Sequence, residues 1–259
     1  MSNAEGAGGR VLVTGAAAGL GAALVRAFTA RGDRVLATDV SEQPGVVRLD
    51  VRSDEDWAAA RDRVQSDWGG LDVLVNNAGI AGGGRIEVAT MAEWQRLTEV
   101  NLLGVVRGTR TFVPMFKAQR AGHIVNIASL AGLVHPAGMA SYNAVKAGVV
   151  AFTETAGHEL AAFDVRCSAV CPSYFRTSLM ASAAGADTEV AAVLGRLVDK
   201  APLGPDEIAA EVLAGIDRGE ELIVPDDAAR AALALKRTDR AAYDVTMRAQ
   251  AAKLPGGRP

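Results

Sequence analysis

The feature that most limits the fold is a change of pattern near the start of the chain. Arg10 to Thr14, RVLVT, is a β-rich run, and GAAAGLG follows it without a gap from Gly15 to Gly21. A helix-forming stretch, Ala22 to Arg31, comes next, stopped by Gly32, and Arg34 to Thr38 is a second β-rich run. Strand, glycine turn, helix and strand in about thirty residues make a β-α-β unit, which joins two parallel strands through a crossover. A parallel sheet needs helices on both faces, so the rest of the chain must keep alternating.

It does. Val46 to Val51 reads as a third strand, and Ser53 with Asp56 three residues on has the spacing of a helix cap for a helix over about 54–68. Leu71 to Val75, LDVLV, is an apolar run of the kind buried on both faces. Thr90-x-x-Glu93 opens a long helical pattern to about Lys117, and Gly122 to Ala128 is a fifth strand. A second long helix is expected from Ser141 to Phe163, a sixth strand from Val165 to Cys171, and a helix from Pro205 to about Arg218. Glu221 to Val224 is a seventh short strand, while the alanine-rich segment 178–200 has the composition of a movable lid. The expected architecture is α/β: a single-domain, doubly wound, seven-stranded parallel sheet. Residues 1–9 read as a flexible tail, 10–225 as the α/β domain, and 226–259 as a helical extension packed on the same domain.

Composition excludes several classes. A net charge of −3 implies no basic face, hence no nucleic acid. No run of eighteen apolar residues occurs and the start has no hydrophobic signal region, so no membrane is expected and the location is cytoplasmic. Cys167 and Cys171 sit in an apolar run and read as small buried residues. His123, His135 and His158 have no ligand-like spacing with them, so no metal is expected.

The chemistry-bearing residues fall at the strand ends. A glycine turn between strand and helix brings backbone N–H groups against a pyrophosphate; Gly15 permits the turn, and the bare Gly19 and Gly21 allow close approach. Asp39 closes the second strand, where a carboxylate accepts from ribose hydroxyls and repels a 2′-phosphate. Its neighbours Thr38 and Val40 are uncharged, as is Ala18 in the turn, which favours NAD over NADP; the alternative is that Asp39 merely starts a turn. Asn76-Asn77-Ala78-Gly79 is either a plain turn or a floor under an adenosine moiety, with its amides bracing neighbouring strands. Asn101, an amide in apolar surroundings, either bonds a backbone group or binds a water near Lys146. Ser129 ends the fifth strand, and Tyr142 and Lys146 lie one helical turn apart. A nearby ammonium pulls a phenol's pKa down from about 10, and a second hydroxyl can hold the oxygen whose proton the phenol exchanges.

TGAAAGLG (Thr14 to Gly21), NNAG (Asn76 to Gly79), Asn101, Ser129 and YNAVK (Tyr142 to Lys146) occur in the order and spacing of the short-chain dehydrogenase/reductases, which the chain resembles over about residues 10–225. The resemblance implies a Rossmann-type sheet, a nicotinamide cofactor, and a homodimer or homotetramer built on the two long helices. It makes Tyr142 the general acid/base, Lys146 the residue that lowers its pKa and holds the nicotinamide ribose, Ser129 the group that orients substrate, and Asn101 the anchor of a water-linked proton relay. Asp50 and Val51 resemble the pair that contacts adenine, and Asn77, Ala78 and Gly79 the floor beneath it. Gly15, Ala18, Gly19, Leu20, Gly21 and Asp39 complete that side of the cofactor, with Pro172, Phe175 and Thr177 at the nicotinamide end. Three features depart from the family pattern: Ser173 follows Pro172 where glycine is usual, Asp164 replaces a glycine before the sixth strand, and the chain continues well past Pro225. The implied activity is NAD-dependent interconversion of a secondary alcohol and a ketone. A binding module without chemistry would need neither Ser129, Tyr142, Lys146 nor Asn101, and epimerases or dehydratases on this fold usually carry a larger C-terminal domain. Leu133, Val134, Met139, Tyr174, Phe175, Leu179 and Met180 point to a bulky, weakly polar small-molecule substrate.

Overall fold

The computed structural model describes residues 8–254. Its strands are β1 (Arg10–Thr14), β2 (Arg34–Asp39), β3 (Val47–Arg48), β4 (Val73–Asn76), β5 (Gly122–Ile127), β6 (Val165–Val170) and β7 (Leu222–Ile223). They form one sheet in the order β3-β2-β1-β4-β5-β6-β7, every pair parallel. The chain runs outward from β1 on one side and from β4 on the other, so the crevice between their C-terminal ends is where such a sheet binds ligands.

Burial on both faces explains why the central strands are unbroken apolar runs. Val11 and Val13 of β1 face helices α1 (Gly19–Ala30) and α8 (Pro205–Arg218), meeting Leu24, Phe28, Val212 and Ile216. Leu12 between them faces the other layer with Leu74 and Ile124, against Trp57 of α2 (Asp54–Trp68) and Phe112 and Phe116 of α4 (Gly104–Gln119). Each such side chain fully removed from water contributes about 1.5–3 kcal/mol before conformational entropy is charged.

The expected helix starts are present. Ser53 accepts from the Asp56 N–H at 3.0 Å, and Thr90 and Glu93 exchange hydrogen bonds at the start of α3 (Met91–Thr98). Asp164 takes the left-handed conformation at φ 57°, the position where glycine is common, and it pairs with Arg120.

Four details differ from the sequence reading. The long helix after Thr90 is interrupted by a π-helical turn at Glu99–Leu103 before it resumes as α4. The extra residue of such a turn shifts the phase of the apolar face after it by about 100° per residue, a shift that the expectation of one continuous helix leaves out. A short helix, α5 (Ala131–Val134), follows β5 ahead of the long α6 (Ala140–Leu160). The alanine-rich segment is ordered into a 3-10 turn (Ser178–Ser182) and α7 (Thr188–Asp199), which Asp187 caps. Gly9 is tied to the domain, its N–H donating to Asp33 at 2.8 Å; residues 1–7 of the expected tail lie outside the described residues.

Beyond β7 the chain forms two helices, α9 (Asp227–Thr238) and α10 (Arg240–Ala251), while residues 255–259 of the expected extension lie outside the described residues. No helix among the described residues is long and apolar enough to cross a membrane.

Candidate active site

The C-terminal ends of β1, β4, β5 and β6 open on one cavity of about 440 Å³. At one end it is walled by the turn between β1 and α1. Gly15 and Gly19 adopt φ of 65° and 55°, a region a side chain resists. Gly21 has a further use besides lining the cavity. A Cβ there would strike the Gly15 carbonyl and lie 2.6 Å from the Asn77 amide nitrogen, so its bareness lets α1 close on the turn.

Behind this turn the two asparagines brace strands. The Asn77 side chain donates to the carbonyls of Thr14 (2.8 Å) and Gly15 (3.1 Å), while the Thr14 hydroxyl accepts from the N–H groups of Asn77 and Ala78. Asn76 donates to Asn126 on β5 at 2.8 Å, and Asn126 donates to Thr153 on α6 at 2.9 Å. This buried chain ties β4, β5 and α6 into a fixed frame under the site. Asp39 lines the cavity while also accepting from Ser41 N–H (3.0 Å) and Ala17 N–H (3.1 Å), so the cavity-facing and turn-starting readings both describe it.

At the centre sit Ser129, Tyr142 and Lys146, all on the cavity wall. Ser129 leaves the end of β5, and its Oγ accepts from the Ala131 N–H at 3.1 Å, which fixes it at the mouth of α5. Gly132 on α5 lets that helix lie directly on α6, since a Cβ there would meet the Lys146 backbone at 2.6 Å. The Lys146 ammonium donates to the Ile127 carbonyl at 2.8 Å and lies 5.8 Å from the centre of the Tyr142 ring. Both side chains are buried, and burial governs their acidity. It pushes the Tyr142 phenol up to about 12, with the hydrogen bond to Ser129 working the other way. It pushes Lys146 down to about 8. From the sequence, the ammonium is expected to draw the phenol downward. Desolvation of the phenolate decides the direction instead, and what opposes it is the Ser129 hydrogen bond.

The remaining expected residues divide. Leu20, Gly79, Pro172, Phe175 and Thr177 line the cavity, as do Gly15, Ala18, Gly19, Gly21 and Asn77. Ala78 does not, being packed under Gly15. Asn101 is fully buried within the π-helical turn, its amide clasping the Ile80 backbone with bonds of 2.8 Å and 3.0 Å. Of the two readings of Asn101, its side chain fits the backbone bond. Asp50 and Val51 are also off the cavity wall: the Asp50 carboxylate is gripped by Arg52 at 2.6 Å and held below the usual carboxylate range, and Val51 packs against Gly104.

Past Tyr142 the wall turns apolar, with Val134, Met139, Tyr174, Leu179, Met180 and Leu194. Leu133, expected among them, faces the other way, into the cluster around Val149. Ser173, the unusual residue after Pro172, donates from both its N–H (2.9 Å) and its hydroxyl (2.7 Å) to the Asp226 carboxylate. Ala232, Tyr243, Met247 and Gln250, from α9 and α10, also reach the cavity. Sequence reasoning missed these four, because nothing local ties residues this late in the chain to α5 and α6.

The profile of the short chain dehydrogenase family matches residues 10–187. The chain belongs to that family. A 3-alpha-(or 20-beta)-hydroxysteroid dehydrogenase of Mycobacterium tuberculosis is 37% identical over 180 residues, covering 65% of this chain and 69% of that one. A cyclopentanol dehydrogenase of Comamonas testosteroni is 33% identical over 236 residues, covering 83% and 94%. Among solved structures, a short-chain dehydrogenase/reductase from Burkholderia phymatum in complex with NAD superposes with a TM-score of 0.85 at 28% identity, covering 92% of this chain and 96% of that one. Solved relatives of this short-chain dehydrogenase include complexes with NAD and with NADP.

Proposed function

We propose that this short-chain dehydrogenase interconverts a secondary alcohol on a ring or other bulky apolar body with the corresponding ketone, NAD being the favoured hydride carrier. The observation that carries this reading is the meeting of two unlike half-sites at Ser129, Tyr142 and Lys146. On one side lies a glycine-turn cradle open to a helix N-terminus, and on the other an apolar chamber.

The cradle fits a dinucleotide. Its turn backbone at Gly15 and Gly19 is held left-handed, the first N–H groups of α1 have no side-chain cap, and Asp39 offers a carboxylate at the rim. Gly15, Ala18, Gly19, Leu20, Asp39, Asn77 and Gly79 would hold the adenosine and pyrophosphate. Lys146, Pro172, Phe175 and Thr177 would hold the nicotinamide end. When bound, the nicotinamide takes or gives the hydride.

The chain's own part is orientation and proton transfer. The Ser129 hydroxyl, which accepts from the Ala131 N–H, would hold the substrate oxygen beside the Tyr142 phenol. With its pKa near 12 the phenol keeps its proton at neutral pH, which suits it to give that proton to a ketone oxygen. In the oxidising direction it must first lose the proton, so turnover should rise with pH up to the apparent pKa of the assembled site. The Lys146 ammonium, 5.8 Å from the ring centre, favours that loss electrostatically. The apolar walls exclude water from the exchange. The ring alcohols named for the hydroxysteroid and cyclopentanol relatives support the substrate class.

The test is a panel of cyclic and bulky secondary alcohols and ketones assayed with NAD and NADP at the nicotinamide absorbance. Turnover of at least one pair, lost in Tyr142→Phe, is the expected result. Tight NAD binding with no turnover across the panel would overturn the catalytic reading.

A further inference from the structure

The family profile ends at residue 187, yet the cavity does not. Its far wall is made by α9 and α10, which lie wholly beyond that point. Three separate anchors hold these helices against the site. Asp226, buried, accepts from the N–H and hydroxyl of Ser173 and from the Ala229 N–H, so one carboxylate both caps α9 and grips the loop after β6. Lys236 on α9 donates to the Leu133 carbonyl and to Nδ1 of His135, at the C-terminal end of α5. Tyr243 on α10 donates its hydroxyl to the Val134 carbonyl. Leu254 then packs with Met139 and Val190 in the cluster that carries Tyr142.

These contacts make a fixed wall out of a segment that lies beyond the matched family profile. They also settle what the wall offers. The Tyr243 hydroxyl is already spent on Val134, so that residue presents its ring to the cavity. Met247, half-buried, lies one helical turn further along the same face of α10. With Met139 and Met180 opposite, three flexible thioether side chains line the apolar chamber, surfaces that adapt to large, weakly polar shapes.

We propose that α9 and α10 form a distal substrate subsite. It takes the end of a multi-ring or similarly extended apolar alcohol remote from its hydroxyl, with Met247 and Tyr243 as its floor. This rests on the alcohol–ketone reading above. The subsite selects for substrate length, because a small cycloalkanol held at Ser129 and Tyr142 leaves the α10 wall untouched.

The experiment compares a multi-ring secondary alcohol with cyclopentanol at saturating NAD, in the native protein, Met247→Trp and Met247→Ala. Met247→Trp should lower kcat/KM for the multi-ring alcohol at least tenfold relative to cyclopentanol, mainly through KM, while NAD affinity changes less than twofold. Met247→Ala, which opens space, should not impose that penalty. Val245→Thr, on the exposed face of α10, is the control and should leave both rates unchanged. Calorimetric titration of the corresponding multi-ring ketone into the NAD-loaded protein separates the two readings. If the NAD-loaded native protein binds the ketone, yet the protein neither reduces that ketone with NADH nor oxidises the multi-ring alcohol with NAD, the catalytic reading fails, and the subsite stands only if Met247→Trp weakens that binding tenfold. An unchanged discrimination ratio in Met247→Trp, with Tyr142→Phe still abolishing turnover, overturns the subsite alone. A native protein that neither binds nor turns over the multi-ring pair overturns it as well.

Discussion

Lys146→Met isolates what the buried ammonium costs the folded chain. The side chain is 4% exposed and its pKa falls from 10.5 to about 8 on burial. At about 1.4 kcal/mol per pH unit, keeping it charged in the folded state costs about 3 kcal/mol at pH 7. Methionine has a similar length and no charge, so that cost disappears. Against it stands the Ile127 carbonyl, which loses its 2.8 Å donor. An acceptor left unpaired in the interior costs about 1–3 kcal/mol. The variant should therefore be as stable as the native protein at pH 7, or up to about 2 kcal/mol more stable, a net of those two figures.

The pH dependence is sharper than the absolute value. The folded pKa lies below the unfolded one, so between about 8 and 10.5 the unfolded chain binds more protons, and native stability rises with pH. The variant has no such linkage, because a methionine side chain has no proton to bind. From pH 7 to pH 9.5 the native protein should gain about 2 kcal/mol on the variant. Urea unfolding of both proteins at the two pH values, followed by far-ultraviolet circular dichroism, measures this difference. A native-minus-variant difference that stays flat across that range would show a normal ammonium at Lys146 and refute the reasoning.

Three further outcomes follow from the site. Tyr142→Phe keeps the ring and should leave NAD binding nearly unchanged while cutting turnover by about 10²–10⁴, the usual worth of a proton-transfer group; full activity in that variant rules out the phenol. NAD should bind at least tenfold tighter than NADP, about 1.4 kcal/mol, and Asp39→Ala should narrow the gap; equal affinities in the native protein, by fluorescence titration, exclude that role for Asp39. The protein should be an isologous oligomer built on α4 and α6, measured by light scattering at micromolar concentration, and a stable monomer refutes it.

Much of this was legible in the sequence because it is local. Runs such as Val11-Leu12-Val13 are buried on two faces, and together with the β-α-β alternation they point to a parallel sheet with two helical layers. The caps at Ser53 and Thr90 and the left-handed Asp164 are written within four residues of where they act. The spacing of Ser129, Tyr142 and Lys146 is carried by a strand end and one helical turn, so their convergence could be read as well. What could not be read depends on distant partners. That Gly21 closes against Gly15 and Asn77, and that Ile80 is the backbone partner of Asn101, are such cases. The acidity of Tyr142 depends on how completely the fold excludes water, which no motif encodes. The wall made by α9 and α10 rests on contacts spanning more than a hundred positions, Leu133 to Lys236 and Val134 to Tyr243.

Those spans bear on the order in which the protein assembles. The β1–β2 and β1–β4 pairings that frame the glycine turn are complete once residue 76 has been made. The far wall needs residues 227–251, synthesised after all seven strands, and it docks on α5, which itself depends on β5. Contacts of long sequence separation form late, since chain closure must be met before they reward it. On that ground the strand pairings around the glycine turn should form before the wall of the apolar chamber, which waits for the last two helices. A chain interrupted near residue 225 would lack that wall and should leave Val134, Met139 and Tyr142 less covered.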